Sequence, residues 1–153
     1  MTLFQGSLDI PAGELVPRLL GRIPHCEELG IVAESFEPPR LTMRLPYQDK
    51  LVVDSETGIL HGGAVTTLVD TTAGMIAMAA VRPAHSVATR DRRLDDLRPG
   101  HKGHDILCTA EVYHVTRTIV FVRAHALQAD DRREIASALG TFMMTGRPEA
   151  RAS

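Results

Sequence analysis

The longest apolar stretch of the chain runs from Ala64 to Val81 and contains one charged residue, Asp70. A helix at a protein surface shows an apolar stripe on one side and charged residues on the other. This stretch instead has small or apolar residues all round, so we expect a long helix buried on nearly every side. The pair Arg82-Pro83 should end it, because proline cannot continue a helix and restricts the residue before it.

Three shorter elements are predicted before the long helix. A helical spacing of leucines predicts a short amphipathic helix that Gly21 and Pro24 end, although Pro17 lies inside it. Two strand-like arms then flank Pro38-Pro39 and predict a hairpin, which a polar loop follows. The predicted bounds are Pro11–Leu20 for the helix, Leu29–Glu37 and Arg40–Leu45 for the strands, and Tyr47–Leu60 for the loop.

After the long helix the apolar pattern changes to a period of two, which is typical of half-buried strands. Four such strands are predicted, over Ser86–Leu97, Ile106–Thr116, Thr118–Gln128 and Glu134–Met144. Runs of strands with one long helix favour an α+β fold with an antiparallel sheet. A sheet wrapped around the helix is the simplest way to bury it. Because one subunit of this size cannot easily cover the whole helix, we expect a homodimer.

Composition narrows the class of protein. A chain of 153 residues fits a single domain over 1–153, with a helical extension over 1–24 and a frayed tail over 146–153. The formal net charge of −2 and the absence of tryptophan argue against a nucleic-acid partner. Cys26 and Cys108 lie far apart and in no metal-like spacing. Together with the lack of a secretory signal, they predict a cytoplasmic protein with reduced thiols and no metal site.

Asp70 needs an explanation, since a carboxylate inside an apolar helix is costly unless it is paired or functional. Three interpretations are open. A membrane span is disfavoured by Asp70 itself, by four threonines and by Gly74. A structural helix with a hydrogen-bonded aspartate is the second, and a functional site is the third. The residues His61-Gly62-Gly63 favour a site, because glycine lets N–H groups at a helix start approach a ligand closely.

Three motifs carry a resemblance to one family. The pattern G-x-x-H-G-G followed by L-x-D, from Gly58 to Asp70, resembles the hotdog-fold thioesterases of the phenylacetate-degradation (PaaI-like) type. The pattern T-x-D-x-R-x-D-x-L-R-P over Thr89–Pro99 and the sequence G-T-F-M-M over Gly140–Met144 resemble later strands of that family. These matches occur in order, so the resemblance covers most of the chain from Leu29 onward.

The resemblance implies a hotdog fold, with a five- to six-stranded antiparallel sheet around one long central helix, in a homodimer that is often a dimer of dimers. It implies hydrolysis of acyl-CoA thioesters without metal or cofactor, coenzyme A being part of the substrate. By position, Asp70 matches the catalytic carboxylate and Gly62 the glycine whose N–H holds the thioester oxygen. His61 matches the histidine beside it, and Thr89 matches a hydroxyl that helps to place the attacking water.

The chain departs from the family pattern at several positions. Ser55 stands where the family often has asparagine, and it is a shorter hydrogen-bond donor toward a substrate. Arg90, Arg92 and Asp96 stand where the family usually has apolar or aromatic residues, so the strand after the helix is unusually charged. The basic residues in this region, Arg98 among them, could bind the phosphates of coenzyme A or could form a solvated edge strand.

Thioester hydrolysis needs an activated water or a nucleophile, donors for the developing oxyanion and a dry acyl pocket. Asp70 can act as general base or nucleophile, and the Gly62 N–H lies at the positive helix end, with Gly63 beside it for the substrate. His61 could be a base, but we favour a role in shaping the glycine turn. Gly62 and Asp70 are separated by about 12 Å along a helix. We therefore predict a site shared across a dimer, with Gly62 and His61 from one subunit and Asp70 and Thr89 from the other.

Two other functions are open from the sequence. A non-catalytic acyl-CoA-binding module of the same fold gains nothing from a buried carboxylate, so Asp70 argues against it. A hydratase of the same fold would want an aspartate and a histidine on one helix, an arrangement that the sequence does not show. The sequence therefore predicts an acyl-CoA thioesterase and leaves its acyl group undetermined.

Overall fold

The computed structural model of the protein describes residues 12–81 and 86–146, and the structural statements below concern those residues. Three predictions lie outside them. These are the part of the helical extension over residues 1–11, the helix end at Arg82-Pro83 and the tail from residue 147 onward.

A six-stranded antiparallel sheet wraps around one long helix. The elements in chain order are α1 (Ala12–Leu20), α2 (Pro24–Leu29), β1 (Val32–Glu37), β2 (Arg40–Leu45), a 3-10 turn (Asp49–Leu51), α3 (Gly62–Ala80), β3 (Ser86–Asp96), β4 (Ile106–Val115), β5 (Ile119–Gln128) and β6 (Glu134–Thr145). The strands lie in the order β1-β2-β4-β5-β6-β3, so β1 and β3 form the two edges. The predicted α+β architecture is confirmed.

The segment between α1 and β1 differs from the prediction. Pro24 lies in the first turn of α2, where its missing N–H costs nothing and its fixed φ suits a helix. Gly30 ends α2 in the left-handed conformation, with φ of 72°, and its N–H bonds to the Glu27 carbonyl at 3.0 Å. The strand therefore begins at Val32 and not at Leu29, because Leu29 is the last residue of a helix that the sequence analysis missed.

The hydrophobic core lies between α3 and the inner face of the sheet. Phe142 of β6 is fully buried, and its ring fills the space beside two glycines. A Cβ on Gly140 would lie 3.2 Å from the ring, and a Cβ on Gly74 of α3 would lie 3.7 Å from it. Alternate residues of β4 are buried as the period-two pattern predicts: Ile106, Cys108, Ala110 and Val112.

One stripe of α3 is not covered by the part of the chain that the structure describes. Eleven of the nineteen residues of α3 are buried, so the prediction of burial on nearly every side is wrong along this stripe. Apart from Gly62 at the helix start, the residues of α3 that are not buried form what we call the open stripe: Gly63, Thr66, Thr67, Asp70, Thr71, Gly74 and Met78. These are small or polar side chains except for Met78. Thr67 and Thr71 of this stripe contact α2, and Asp70 contacts Arg92 of β3.

By length and composition alone, α3 could cross a membrane. In the structure it is the core helix of the sheet, and most of its residues are buried by the strands around it. Its apolar character therefore follows from its place in the core.

Candidate active site

His61 caps the N-terminus of α3. Its backbone is extended, with φ of −62° and ψ of 130°, and its ring Nδ1 accepts a hydrogen bond of 2.9 Å from the Gly63 N–H. Since Nδ1 is the acceptor, the neutral ring carries its proton on Nε2. A Cβ on residue 63 would lie 2.9 Å from Nδ1, so only glycine allows this close approach. His61 and Gly63 together therefore determine the shape of the turn.

Gly62 is the first residue of α3, where backbone N–H groups have no partner within the helix. Among the described residues no acceptor bonds to its N–H, and a Cβ built on it meets no atom within 4 Å. Gly62 lines a cleft of about 290 Å³ together with Val65, Leu97 and Arg98. An N–H at the positive end of a helix that faces open space can donate to an anionic oxygen.

A second cleft lies at the start of the same helix. It has a volume of about 470 Å³ and contains His61 and Gly63 in its lining. Apolar residues of α2, the 3-10 turn and α3 line it together with the polar side chains of His25, Lys50 and Thr67. His25 Nε2 lies 3.4 Å from Thr67 Oγ1, so a polar contact joins α2 to the open stripe.

Asp70 lies about 12 Å from Gly62 along α3 and lines neither cleft. Its two carboxylate oxygens differ. Oδ1 is buried and lies 2.5 Å from Nη1 of Arg92 on β3, although no N–H points at it in hydrogen-bond geometry. The side chain as a whole is 42% exposed, so Oδ2 is the accessible oxygen. Asp70 is thus an ion-paired carboxylate with one free oxygen.

Thr89 lies on β3 and pairs with the buried Phe142 of β6. Partners in an antiparallel pair point to the same face, so Thr89 is on the face that packs against α3. It therefore shares a side of the sheet with Asp70. Gly62 lies about 12 Å from Asp70 along α3. Sequence reasoning missed Arg92 as the partner of Asp70, because an irregularity in β3 between Thr89 and Asp91 determines which face of the sheet the Arg92 side chain lies on.

Ser55 is not among the residues that line either cleft. It is exposed in the loop before α3, and its carbonyl accepts a hydrogen bond of 3.4 Å from Lys102 Nζ. The Lys102 stem crosses Gly58, which has φ of 64° and no room for a Cβ. Arg98, by contrast, lies in the cleft of Gly62. The structure thus groups Arg98 with Gly62 and leaves Ser55 apart.

The two cysteines are buried and unpaired with each other. Burial raises the pKa of the Cys108 thiol to about 12, and the Thr72 hydroxyl offsets this only in part. Cys108 is therefore a protonated thiol at neutral pH, which is unsuited to nucleophilic attack. Among the described side chains near the helix, the carboxylate of Asp70 is the better candidate for chemistry.

Comparison with known proteins places this geometry in a family. The family model of the Thioesterase superfamily matches residues 57–135. The medium/long-chain acyl-CoA thioesterase YigI of Salmonella typhimurium is 26% identical over 135 residues, which cover 80% of this chain and 86% of that protein. The crystal structure of a Pseudomonas aeruginosa protein is 37% identical, with a TM-score of 0.78 over 87% of this chain and 98% of that one. The E. coli PaaI protein of the phenylacetic acid degradation operon is 18% identical, with a TM-score of 0.78 over 89% and 94% of the two chains.

An antiparallel sheet wrapped around one long central helix is the architecture of the hotdog class of proteins. The likeness to PaaI shows this shared fold. The chain belongs to the thioesterase superfamily, whose family model matches more than half of its 153 residues. The predicted hotdog fold and the predicted family are both confirmed.

Proposed function

We propose that this protein is an acyl-CoA thioesterase, which hydrolyses a thioester to a free acid and coenzyme A. The observation that carries the proposal is the pair of groups on α3: Asp70 with a carboxylate oxygen that makes no hydrogen bond to the described residues, and Gly62, which lines a cleft and whose N–H has no acceptor among those residues. Membership of the thioesterase superfamily supports thioester hydrolysis. The relative YigI, named as a medium/long-chain acyl-CoA thioesterase, supports acyl-CoA as the substrate class.

In the proposed reaction, the Gly62 N–H donates to the thioester oxygen and stabilises the negative charge that develops there. Asp70 Oδ2 either takes a proton from a water that attacks the carbonyl carbon, or attacks that carbon itself. The Thr89 hydroxyl helps to place the water. The C–S bond then breaks, and its electron pair leaves on the sulfur of coenzyme A, which takes up a proton. If Asp70 is the nucleophile, a water hydrolyses the resulting anhydride in a second step.

The remaining site residues have binding or shaping roles in this proposal. Arg98 binds a phosphate of coenzyme A, because it shares a cleft with Gly62 and a guanidinium binds phosphate oxygens in pairs. His61 and Gly63 hold the turn that presents the Gly62 N–H. Ser55 stays a sequence-based candidate for substrate contact. The chemistry uses a carboxylate, a backbone donor and water, so the proposal includes no metal and no cofactor.

We propose that each active site is shared across a homodimer. Gly62 and Asp70 of one chain are too far apart, at about 12 Å, to contact one thioester group. Two features favour a two-fold partner: the open stripe of α3, and the edge strand β3, whose eleven residues pair with a strand on one side only among the described residues. A two-fold axis beside them brings Gly62 and His61 of one subunit to Asp70 and Thr89 of the other. A dimer of dimers stays an expectation from the resemblance.

Mixing two inactive variants tests the shared site. Asp70→Asn removes the carboxylate in one chain, and Gly62→Pro removes the N–H donor in the other. A mixed dimer keeps one intact site, formed by Gly62 of the first chain and Asp70 of the second. Random mixing should therefore restore about a quarter of the wild-type sites, because about half of the dimers are mixed and each has one good site. Absence of thiol release in a mixture whose subunits have exchanged, as native mass spectrometry can verify, contradicts a shared site.

A non-catalytic acyl-CoA-binding module is the second candidate, and the ion pair of Asp70 with Arg92 is the observation that favours it. A carboxylate held by a guanidinium can serve structure alone. An assay of thiol release distinguishes the two functions, using a panel of short, medium and long aliphatic acyl-CoAs and aromatic acyl-CoAs. We expect steady-state turnover with at least one of them. Acyl-CoA binding without thiol release across the whole panel would establish the binding module instead.

A further inference from the structure

We propose that Arg92 is a positioning residue for the reaction, which holds Asp70 through Oδ1 and leaves Oδ2 free to act. The inference rests on the proposed catalytic function of Asp70. In this scheme Arg92 acts on the buried oxygen Oδ1, which its Nη1 contacts, and the reaction uses Oδ2.

A bulge in β3 determines which side chain faces Asp70. Thr89 and Asp91 pair with consecutive residues of β6, so Arg90 is an extra residue in the strand. Strict alternation from Thr89 would turn Asp91 toward α3, and two carboxylates would then face each other. The extra residue shifts the alternation by one position, and Arg92 faces the helix instead. Because of the bulge, Asp70 faces the positively charged Arg92 and not the negatively charged Asp91.

Gly140 gives the guanidinium of Arg92 its path to the helix. It is the cross-strand partner of Arg92 on β6, and it has no side chain to stand between the strand and α3. The ring of Phe142 lies beside this glycine, and a Cβ on Gly140 would lie 3.2 Å from the ring. The Arg92 side chain is accordingly only 30% exposed although it lies on an edge strand.

The asymmetry of the carboxylate is the reason to assign a role in catalysis. Arg92 is the charged contact of Oδ1, which has no hydrogen-bond partner among the described residues. A carboxylate without such a contact can rotate about χ2 and present either oxygen. Arg92 removes this freedom, so the free oxygen points away from the strand before a substrate binds. Misplacing a reacting atom by about 1 Å can cost on the order of 10²-fold in rate.

Arg92→Gln tests the assignment by separating kcat from KM. We expect kcat to fall by on the order of 10²-fold, with KM for the best substrate of the panel unchanged, because Arg92 acts through Asp70 and does not bind substrate. Arg92→Met is the second variant, to be used if the glutamine variant does not fold. Arg92→Lys should recover part of the lost kcat, since it keeps the charge but loses the planar fork.

Arg123→Gln is the matched control. Arg123 also forms an ion pair between neighbouring strands, with Glu111 at 3.1 Å, but it lies on the outer face of the sheet. We expect wild-type kcat and KM from it.

A folded Arg92→Gln or Arg92→Met variant with wild-type kcat overturns the inference. A raised KM with unchanged kcat also overturns it, because Arg92 would then bind substrate. A lysine variant as slow as the glutamine variant shows that the charge is not what counts, which again overturns it.

The same experiment separates failure of this inference from failure of the proposed function. If Asp70→Asn is inactive while Arg92→Gln is as fast as the wild type, the thioesterase proposal stands and the role of Arg92 falls. If Asp70→Asn is as fast as the wild type, the proposed function of Asp70 falls, and the positioning role of Arg92 falls with it.

Discussion

Replacing Asp70 with asparagine is expected to lower kcat by on the order of 10²- to 10⁴-fold, the range that a positioned acid or base contributes. Asparagine has the size of aspartate but cannot take a proton from water or attack a carbonyl carbon. The fold and the proposed dimer should persist, because the side chain is 42% exposed and a partly exposed ion pair adds little to stability. Thiol release, thermal unfolding and the elution volume on size exclusion measure the three properties.

Asp91→Asn is the control for this variant. Asp91 is an exposed carboxylate of β3 that the bulge turns away from α3. The Asp91→Asn substitution removes one negative charge from the same region and leaves the proposed catalytic groups unchanged, so we expect wild-type turnover. If Asp70→Asn and Asp91→Asn are equally active, Asp70 is not the catalytic group and its ion pair with Arg92 is structural.

Gly62→Pro is expected to lower kcat by on the order of 10²- to 10³-fold, as the loss of an oxyanion donor does in other enzymes. Proline is well tolerated at the first position of a helix, where its N–H has no helical partner. The preceding residue, His61, already has the extended backbone that a following proline requires, with ψ of 130°. Open space surrounds the Gly62 Cβ position. The substitution therefore removes the N–H and leaves the helix in place.

Gly62→Ala is the matched variant, because it adds a Cβ at the same open position and keeps the N–H. We expect it to retain turnover near that of the wild type and a melting temperature close to that of the proline variant. The difference between the two kcat values measures the contribution of the N–H itself. Equal kcat values for alanine and proline would show that the Gly62 N–H is not the oxyanion donor.

Local patterns determined most of the secondary structure. The strand predicted over Ile106–Thr116 is observed over Ile106–Val115, and the alternate residues from Ile106 to Val112 are buried, as Leu107 is too. The long helix was also recognisable, because an apolar stretch with one charge favours a core helix, although the pattern did not reveal the open stripe. The segment around Pro24 was missed for a local reason too, since a proline can begin a helix as well as follow one.

Part of the candidate site is equally local. His61 and Gly63 are neighbours in sequence, so their hydrogen bond across the helix start follows from the turn itself. The separation of Gly62 and Asp70 follows from helix geometry, which has a constant rise of about 1.5 Å per residue. These features need no knowledge of the rest of the chain, and the expectation of a shared site came from them.

Contacts between distant parts of the chain were decided only by the tertiary structure. The ion pair of Asp70 with Arg92 depends on one extra residue in β3. Because β3 is mostly charged, it has no regular apolar pattern in which an extra residue could be recognised from the sequence. The shared cleft of Gly62 and Arg98 depends on how β3 returns to the start of α3. Sequence by itself determined the helix, the strands and the residue types of the site, because these follow from short-range periodicity. Which side chains meet across the core was set by strand register and packing, which act between residues far apart in the chain.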